Sequence, residues 1–208
     1  MSNAPSRLAR NALHKAGLCA ALLLATGLTQ GQTPAASPVP MTTGNTGNGT
    51  PVELRELREW LPQHRLSGKS RLTVWGFEVY DATLWVAPGF KADKLTAQPF
   101  ALELAYLRDF TNTDIAKRSI VEMRRSAIIS DAQAGIWTAD ILRVIPNVKK
   151  GDRILGVYRP GIGATFLVNG KPVGEILDLE LARLFFGIWL SPTTSEPKLR
   201  SALLAGAV

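Results

Sequence analysis

The run RLTVWGFEVYDATLW, Arg71 to Trp85, constrains this chain more than any other stretch. It is rich in Val, Trp, Phe, Tyr and Thr, which suit a pleated, half-buried surface, and Gly76 divides it into two strand pieces. Inside the apolar run sit one guanidinium, Arg71, and one phenol, Tyr80. Two readings follow. A pocket for an apolar molecule with one anionic end needs such a pair. Alternatively, Tyr80 is a core aromatic with a satisfied hydroxyl and Arg71 a solvated strand residue.

The order of elements around this hairpin sets the fold class. A short helix is expected from Glu53 to Leu61, where Leu54, Leu57 and Leu61 recur at helical spacing before Pro62. Phe100 to Leu107 reads as a third strand, with Phe100, Leu102, Leu104 and Tyr106 on one face. Thr111 to Ala127 reads as a helix with Ala116, Ile120, Met123 and Ala127 facing inward, capped by Thr111 or Thr113. Ser130 caps a second helix, with Trp137, Ile141 and Val144 inward, that ends at Pro146. A β-meander follows: Arg153 to Tyr158, Gly163 to Val168 and Val173 to Ile176, with Asn169-Gly170 as a type I′ hairpin turn. Asp178 caps an apolar helix from Leu181 to Leu190, expected to lie buried against the sheet. Thr194 or Ser195 opens a last helix carrying Leu199 and Leu203. Strands, two helices, strands and two helices predict an α+β domain, an antiparallel sheet covered by helices on one face.

The sequence has 208 residues. Residues 1–31 have the layout of a signal peptide: Arg7, Arg10 and Lys15, then an apolar stretch from Ala16 to Leu28, then small residues. That stretch is short for a membrane span, and an uncleaved anchor is the alternative. Residues 32–52, rich in Pro, Gly, Thr and Asn, read as a disordered linker. Residues 53–208 remain for one domain, expected to be periplasmic or secreted and without a membrane span once the leader is removed.

Composition narrows the chemistry. Net charge is +7, and removing the three leader cations leaves +4, without a dense basic stripe, so nucleic acid is not an expected partner. The single cysteine, Cys19, and one of the two histidines, His14, fall in the leader. With only His64 left, zinc sites built on His and Cys and cysteine nucleophiles are excluded, and no metal or organic cofactor is expected. Gly161 to Phe166 lacks the third glycine and the following helix of a phosphate loop and reads as a β-turn. Glu78 and Asp81 flank Tyr80 as general-base candidates or as ion-pair partners of Arg or Lys. Arg108-Asp109 reads as a site residue pair or a structural clamp.

Three segments, WGFEVYDATLW, LAYLRDFTNTDIAKRSIVEM and GDRILGVYRPGIGATFLVNGKPVGEILDLELARLFFGIWL, resemble the bacterial branch of the chalcone isomerase-like family, and Ser191 to Leu204 is similar to its closing helix. The resemblance spans Leu66 to Leu204 and implies an open-faced β-sandwich, a large antiparallel sheet backed by helices. The family's plant enzymes cyclise chalcones to flavanones with an arginine near the first long hairpin, a threonine and a tyrosine. Its plant fatty-acid-binding proteins hold a carboxylate with that arginine and a tyrosine in place of the threonine. By this resemblance Arg71 stands for the arginine and Tyr80 for the carboxylate-binding tyrosine, while Ile188 stands where the enzymes have a late threonine. The enzymes' catalytic tyrosine and asparagine have no clear counterpart in Thr111 to Met123. The resemblance therefore implies a binder of a fatty acid or similar amphipathic carboxylate through Arg71 and Tyr80, probed by Arg71→Ala. Two alternatives stay open: an isomerase of the intramolecular-lyase type using Tyr80 as acid and Arg71 as enolate clamp, and a non-catalytic partner-binding domain.

Overall fold

The computed structural model describes residues 55–207, so the expected signal peptide and linker lie outside the described residues. Helix α1 (Arg55–Trp60) stops before Pro62 and delivers the chain into β1 (Arg65–Val74). β1 turns through Trp75-Gly76 into β2 (Phe77–Val86), and β3 (Phe100–Tyr106) follows after a loop. Two helices intervene, α2 (Asn112–Met123) and α3 (Asp131–Val144). The meander resumes with β4 (Arg153–Arg159), β5 (Gly163–Val168) and β6 (Lys171–Ile176). α4 (Leu179–Leu190) and α5 (Pro197–Leu203) close the domain. The six strands lie in sequence order, and every neighbouring pair is antiparallel.

The caps formed as the sequence expects. The Thr111 and Ser130 hydroxyls accept the Asp114 and Gln133 amides, and Asp178 accepts the Glu180 and Leu181 amides at 2.9 Å. The Asn169-Gly170 turn has φ of 50° and 80°, the left-handed pair a type I′ turn demands. Trp75-Gly76 has φ of 51° and 81°, so the first hairpin uses the same device with a tryptophan where Asn or Gly is usual. The last helix differs from expectation: it begins at Pro197, and Thr194, placed before it, is buried.

Strand alternation sorts the side chains into two layers. Ala82, Leu84 and Val86 of β2, Leu102 and Leu104 of β3, and Phe166 of β5 face α2, α3, α4 and α5 and form the main core. Its middle is aromatic. Phe186 of α4 meets Phe100 at 5.0 Å, Tyr158 at 5.9 Å and Phe166 at 6.3 Å between ring centroids. Gly156 makes room for it, since a Cβ there would stand 3.0 Å from the Phe186 ring. The other face is not bare: α1 lays Leu57 and Leu61 over Trp85, Ala101, Leu155, Val157 and Leu167. Among the described residues no helix is long and apolar enough to cross a membrane.

The C-terminal end is stitched to β1. The Ser67 hydroxyl donates to the Leu203 carbonyl at 2.9 Å, and the Gly206 amide donates to the Ser67 carbonyl at 2.8 Å. A Cβ on Gly68 would meet the Ala202 carbonyl oxygen at 2.0 Å. Gly68→Ala is therefore expected to cost roughly 2–3 kcal/mol in urea unfolding, because backbone must move. Gly135→Ala, on the exposed side of α3 with nothing within 4 Å, is expected to stabilise by about 0.5–1 kcal/mol.

Candidate functional site

Arg71 and Tyr80 lie on opposite faces of the sheet. From the turn outward, Val74 pairs with Phe77 and Thr73 with Glu78, but Leu72 pairs with Tyr80 and Arg71 with Asp81. Val79 is the extra residue, a β-bulge whose carbonyl is taken by the Leu107 amide at 2.9 Å. A regular two-residue hairpin would set Arg71 across from Tyr80 on one face. The bulge moves Tyr80 under the helices, beside Leu72, and leaves Arg71 on the other side with Asp81. The expectation that both grip one ligand group is corrected accordingly.

Arg71 is engaged where it stands. Its Nε and Nη2 donate to both Asp81 carboxylate oxygens at 2.6 and 2.8 Å, and its Nη1 donates to Glu78. The forked contact holds the Asp81 carboxyl below its usual range. Glu78 and Asp81 are thus ion-pair partners, 55% and 42% exposed in their side chains, on the face away from Tyr80. The isomerase arrangement, with Tyr80 as acid and Arg71 as enolate clamp, needs both groups on one face and loses its geometry. Arg108 and Asp109 also part company: the Arg108 guanidinium lies 4.8 Å over the Phe77 ring, and Asp109 accepts the Lys150 amide at 2.8 Å.

Tyr80 stands in a different company, on the helix-covered side. The Trp189 indole N–H of α4 donates to its hydroxyl at 2.9 Å. Among the described residues that is the hydroxyl's one hydrogen bond, so the phenol's own proton is left to give. Tyr106, directly across in β3, sets its ring edge-on at 6.0 Å, and Ile188, where the resemblance places a missing threonine, is partly buried against the same core.

Charged groups close the site from α2 and from the connection between α4 and α5. Glu122 is 7% exposed; its Oε1 takes Arg118 Nη2 at 2.5 Å, while Arg125 Nε stands 3.8 Å from its Oε2. That second oxygen is buried and has no hydrogen-bond partner. Glu196 is placed by Thr194, whose hydroxyl accepts the Glu196 amide at 3.1 Å and donates to the Ile188 carbonyl at 2.6 Å. Burial first, then the Glu122 charge, raise the Glu196 carboxyl above its ordinary value, and Arg118 partly offsets them. The same groups act on Tyr80: burial raises its phenol most, the Trp189 hydrogen bond opposes, Glu196 and Glu122 add to the rise, and Arg118 opposes it.

Sequence reasoning singled out Tyr80 and passed over Trp189, Glu122, Arg118 and Glu196, which the structure sets around it. Trp189 sat unremarked inside the apolar helix. Glu122 carried a signal: it lies three residues from the inward Ser119 and Met123 follows it, so it borders the buried stripe of α2.

Two surface grooves are open. One, of about 510 Å³, runs past Phe77, Leu107, Arg108 and Lys150 below the first hairpin tip, where Trp75 is 63% exposed. The other, of about 370 Å³, lies between α3 and the end of β6 at Arg143, Glu175 and Leu177.

All three tyrosines of the chain, Tyr80, Tyr106 and Tyr158, are held above the ordinary value near 10, in each case chiefly by burial. A group raised on folding adds stability that is whole below its unfolded pKa and lost as pH climbs towards the folded value. Absorbance at 295 nm should therefore show little phenolate near pH 10, followed by ionisation together with unfolding at higher pH. A smooth titration of three phenols near pH 10 in folded protein would contradict the burial.

Residues 64–205 match a family model described as chalcone isomerase-like. Among solved structures, a fatty-acid binding protein of Arabidopsis thaliana is similar with a TM-score of 0.53 and 12% identity, over 70% of this chain and 88% of that one. That likeness speaks to the fold alone. No curated protein matches the chain.

Proposed function

We propose a binding function on a plain premise: this chain belongs to the chalcone isomerase-like family, and its fold is the open-faced sandwich of that family. It is a carrier or sensor of a fatty acid or similar amphipathic carboxylate, held between sheet and helices, and it does not cyclise chalcones. Its place of work is the periplasm or the outside of the cell, reached through the leader Met1 to Gly31.

The observation that carries this reading is the Tyr80 hydroxyl. Trp189 donates to it, burial favours its protonated form, and among the described residues it has no acceptor for its own proton. It stands where an apolar layer ends and a guanidinium, Arg118, begins. Such a place offers a hydrogen-bond donor to a polar head, and hydrocarbon packing to a chain. Each methylene buried is worth about 0.8 kcal/mol, so ten give roughly 8 kcal/mol, enough to drive rearrangement of the aromatic layer that now fills the space. The Arabidopsis relative's name supports the ligand class.

Native mass spectrometry of the purified chain, with extraction of anything bound, tests the reading directly. A fatty acid is expected to accompany the protein. Tyr80→Phe should weaken binding about tenfold, the value of one hydrogen bond to a polar head. Arg71→Ala should leave affinity within twofold, because that side chain faces away. Loss of ligand in Arg71→Ala but not in Tyr80→Phe would defeat the assignment.

A second reading has its own observation. Trp75 spends a left-handed backbone conformation on a side chain left in solvent, beside exposed Phe77 and an open groove. That tip suits a partner protein, and Trp75→Ser would abolish such docking without touching fatty-acid affinity.

A further inference from the structure

Glu122 is the buried charge that the proposed ligand site has not yet used. It is 7% exposed, and Arg118 occupies only its Oε1. Its Oε2 accepts no hydrogen bond, and Arg125 at 3.8 Å is too distant to donate one. A buried acceptor without a donor is costly, and here it is a carboxylate oxygen. Arg125 is turned elsewhere, its Nε donating to the Thr193 carbonyl at 3.2 Å.

The charge count around it adds a second argument. The ionisable groups converging here are Arg118 and Glu122 from α2, Arg125 from the turn that follows it, Glu196 from the α4–α5 connection, and the neutral phenols Tyr80 of β2 and Tyr106 of β3. Two guanidiniums already balance two carboxylates. An ionised ligand head would be a third carboxylate against the same two cations, in a partly buried site. A head that arrives with a hydrogen-bond donor keeps the balance and satisfies Oε2.

Resting on the carrier reading above, we propose that Glu122 and the ligand's carboxyl share one proton, so that a fatty acid is bound as the undissociated acid. The proton comes from solvent as the fatty-acid anion enters. It lies between Glu122 Oε2 and one oxygen of the ligand head, and the other ligand oxygen accepts the Tyr80 O–H. No covalent bond is made or broken besides those to this proton. The site therefore selects heads that offer a donor beside an acceptor, acids and primary amides, over heads that only accept, such as methyl esters.

Calorimetric titration of laurate into the purified chain at pH 7.5, in buffers of different ionisation heat, counts the protons exchanged. The expected result is close to one proton taken up per laurate, with affinity falling about tenfold for each unit of pH above 7.5. Glu122→Gln should abolish the uptake. Dodecanamide, already neutral, should bind the unaltered chain with no uptake, and methyl laurate should bind at least tenfold more weakly than the amide; neither measurement depends on a variant folding. Laurate binding without proton uptake would overturn the proposal and leave the carrier reading standing. Uptake kept in Glu122→Gln would overturn the assignment to Glu122. No binding of laurate at all would defeat both.

Discussion

One extra residue in β2 decides what the two faces of this sheet are for. With Val79 unopposed, the side chains from Tyr80 to Val86 at even positions go under the helices, and those from Asp81 to Trp85 at odd positions go to the other face. Because the period of a strand is two, a single insertion reverses every residue beyond it. The bulge is held in place, because its carbonyl accepts the Leu107 amide. Every statement about the site, including which arginine can reach Tyr80, inherits from that one register shift.

The consequence is a separation of charge. On the outer face, Arg71 is saturated by Asp81 and Glu78, and Arg159 is held by Thr165 and Glu175 at 2.8 and 2.7 Å. These are exposed or half-exposed pairs of the kind that keep a sheet face soluble and set its register. On the inner face, Arg118, Glu122 and Glu196 gather at the boundary where α2 meets the α4–α5 connection. There the Ser126 hydroxyl meets that of Thr193 at 2.6 Å, fastening the helix end to the loop that carries Glu196. The aromatic core stops at Tyr80 and Trp189, and the polar cluster starts there.

Much of the fold was legible because local chemistry and global pattern agreed. Asn169-Gly170, the caps at Thr111, Ser130 and Asp178, and the 3.6-residue stripes of α2 and α3 each specify their element by nearest-neighbour physics. Asp81 and Glu78 as ion-pair partners were legible for the same reason. The separation of Arg71 from Tyr80 was not, since nothing in Phe77 to Tyr80 announces a bulge; Val79 looks like any strand valine. Its cause is tertiary, the Leu107 amide arriving from the end of β3. Trp189, Glu122 and Glu196 lie 109, 42 and 116 residues from Tyr80 in the chain, and only the crossing of α2 and α4 over the sheet brings them near it. The α1 cluster on the second face was equally out of reach, because short amphipathic helices do not say which surface they will cover.

A fold that buries so much aromatic surface nevertheless keeps, at its edge, a carboxylate oxygen without a hydrogen-bond donor. Replacing Glu122 by leucine would remove the unpaired oxygen and extend the apolar stripe of α2 at no cost to helix propensity. It would also remove the ion pair between Glu122 and Arg118, and leave Tyr80 without a neighbouring charge that helps hold its proton. Arg118, Glu122, Glu196 and Tyr80 thus form one electrostatic cluster, in which the Glu122 and Arg118 charges act in opposite directions on the Glu196 carboxyl and on the Tyr80 phenol. A unit of that kind stabilises the apo protein poorly, because one acceptor is unmet, and stabilises a complex well, because a single donor completes it.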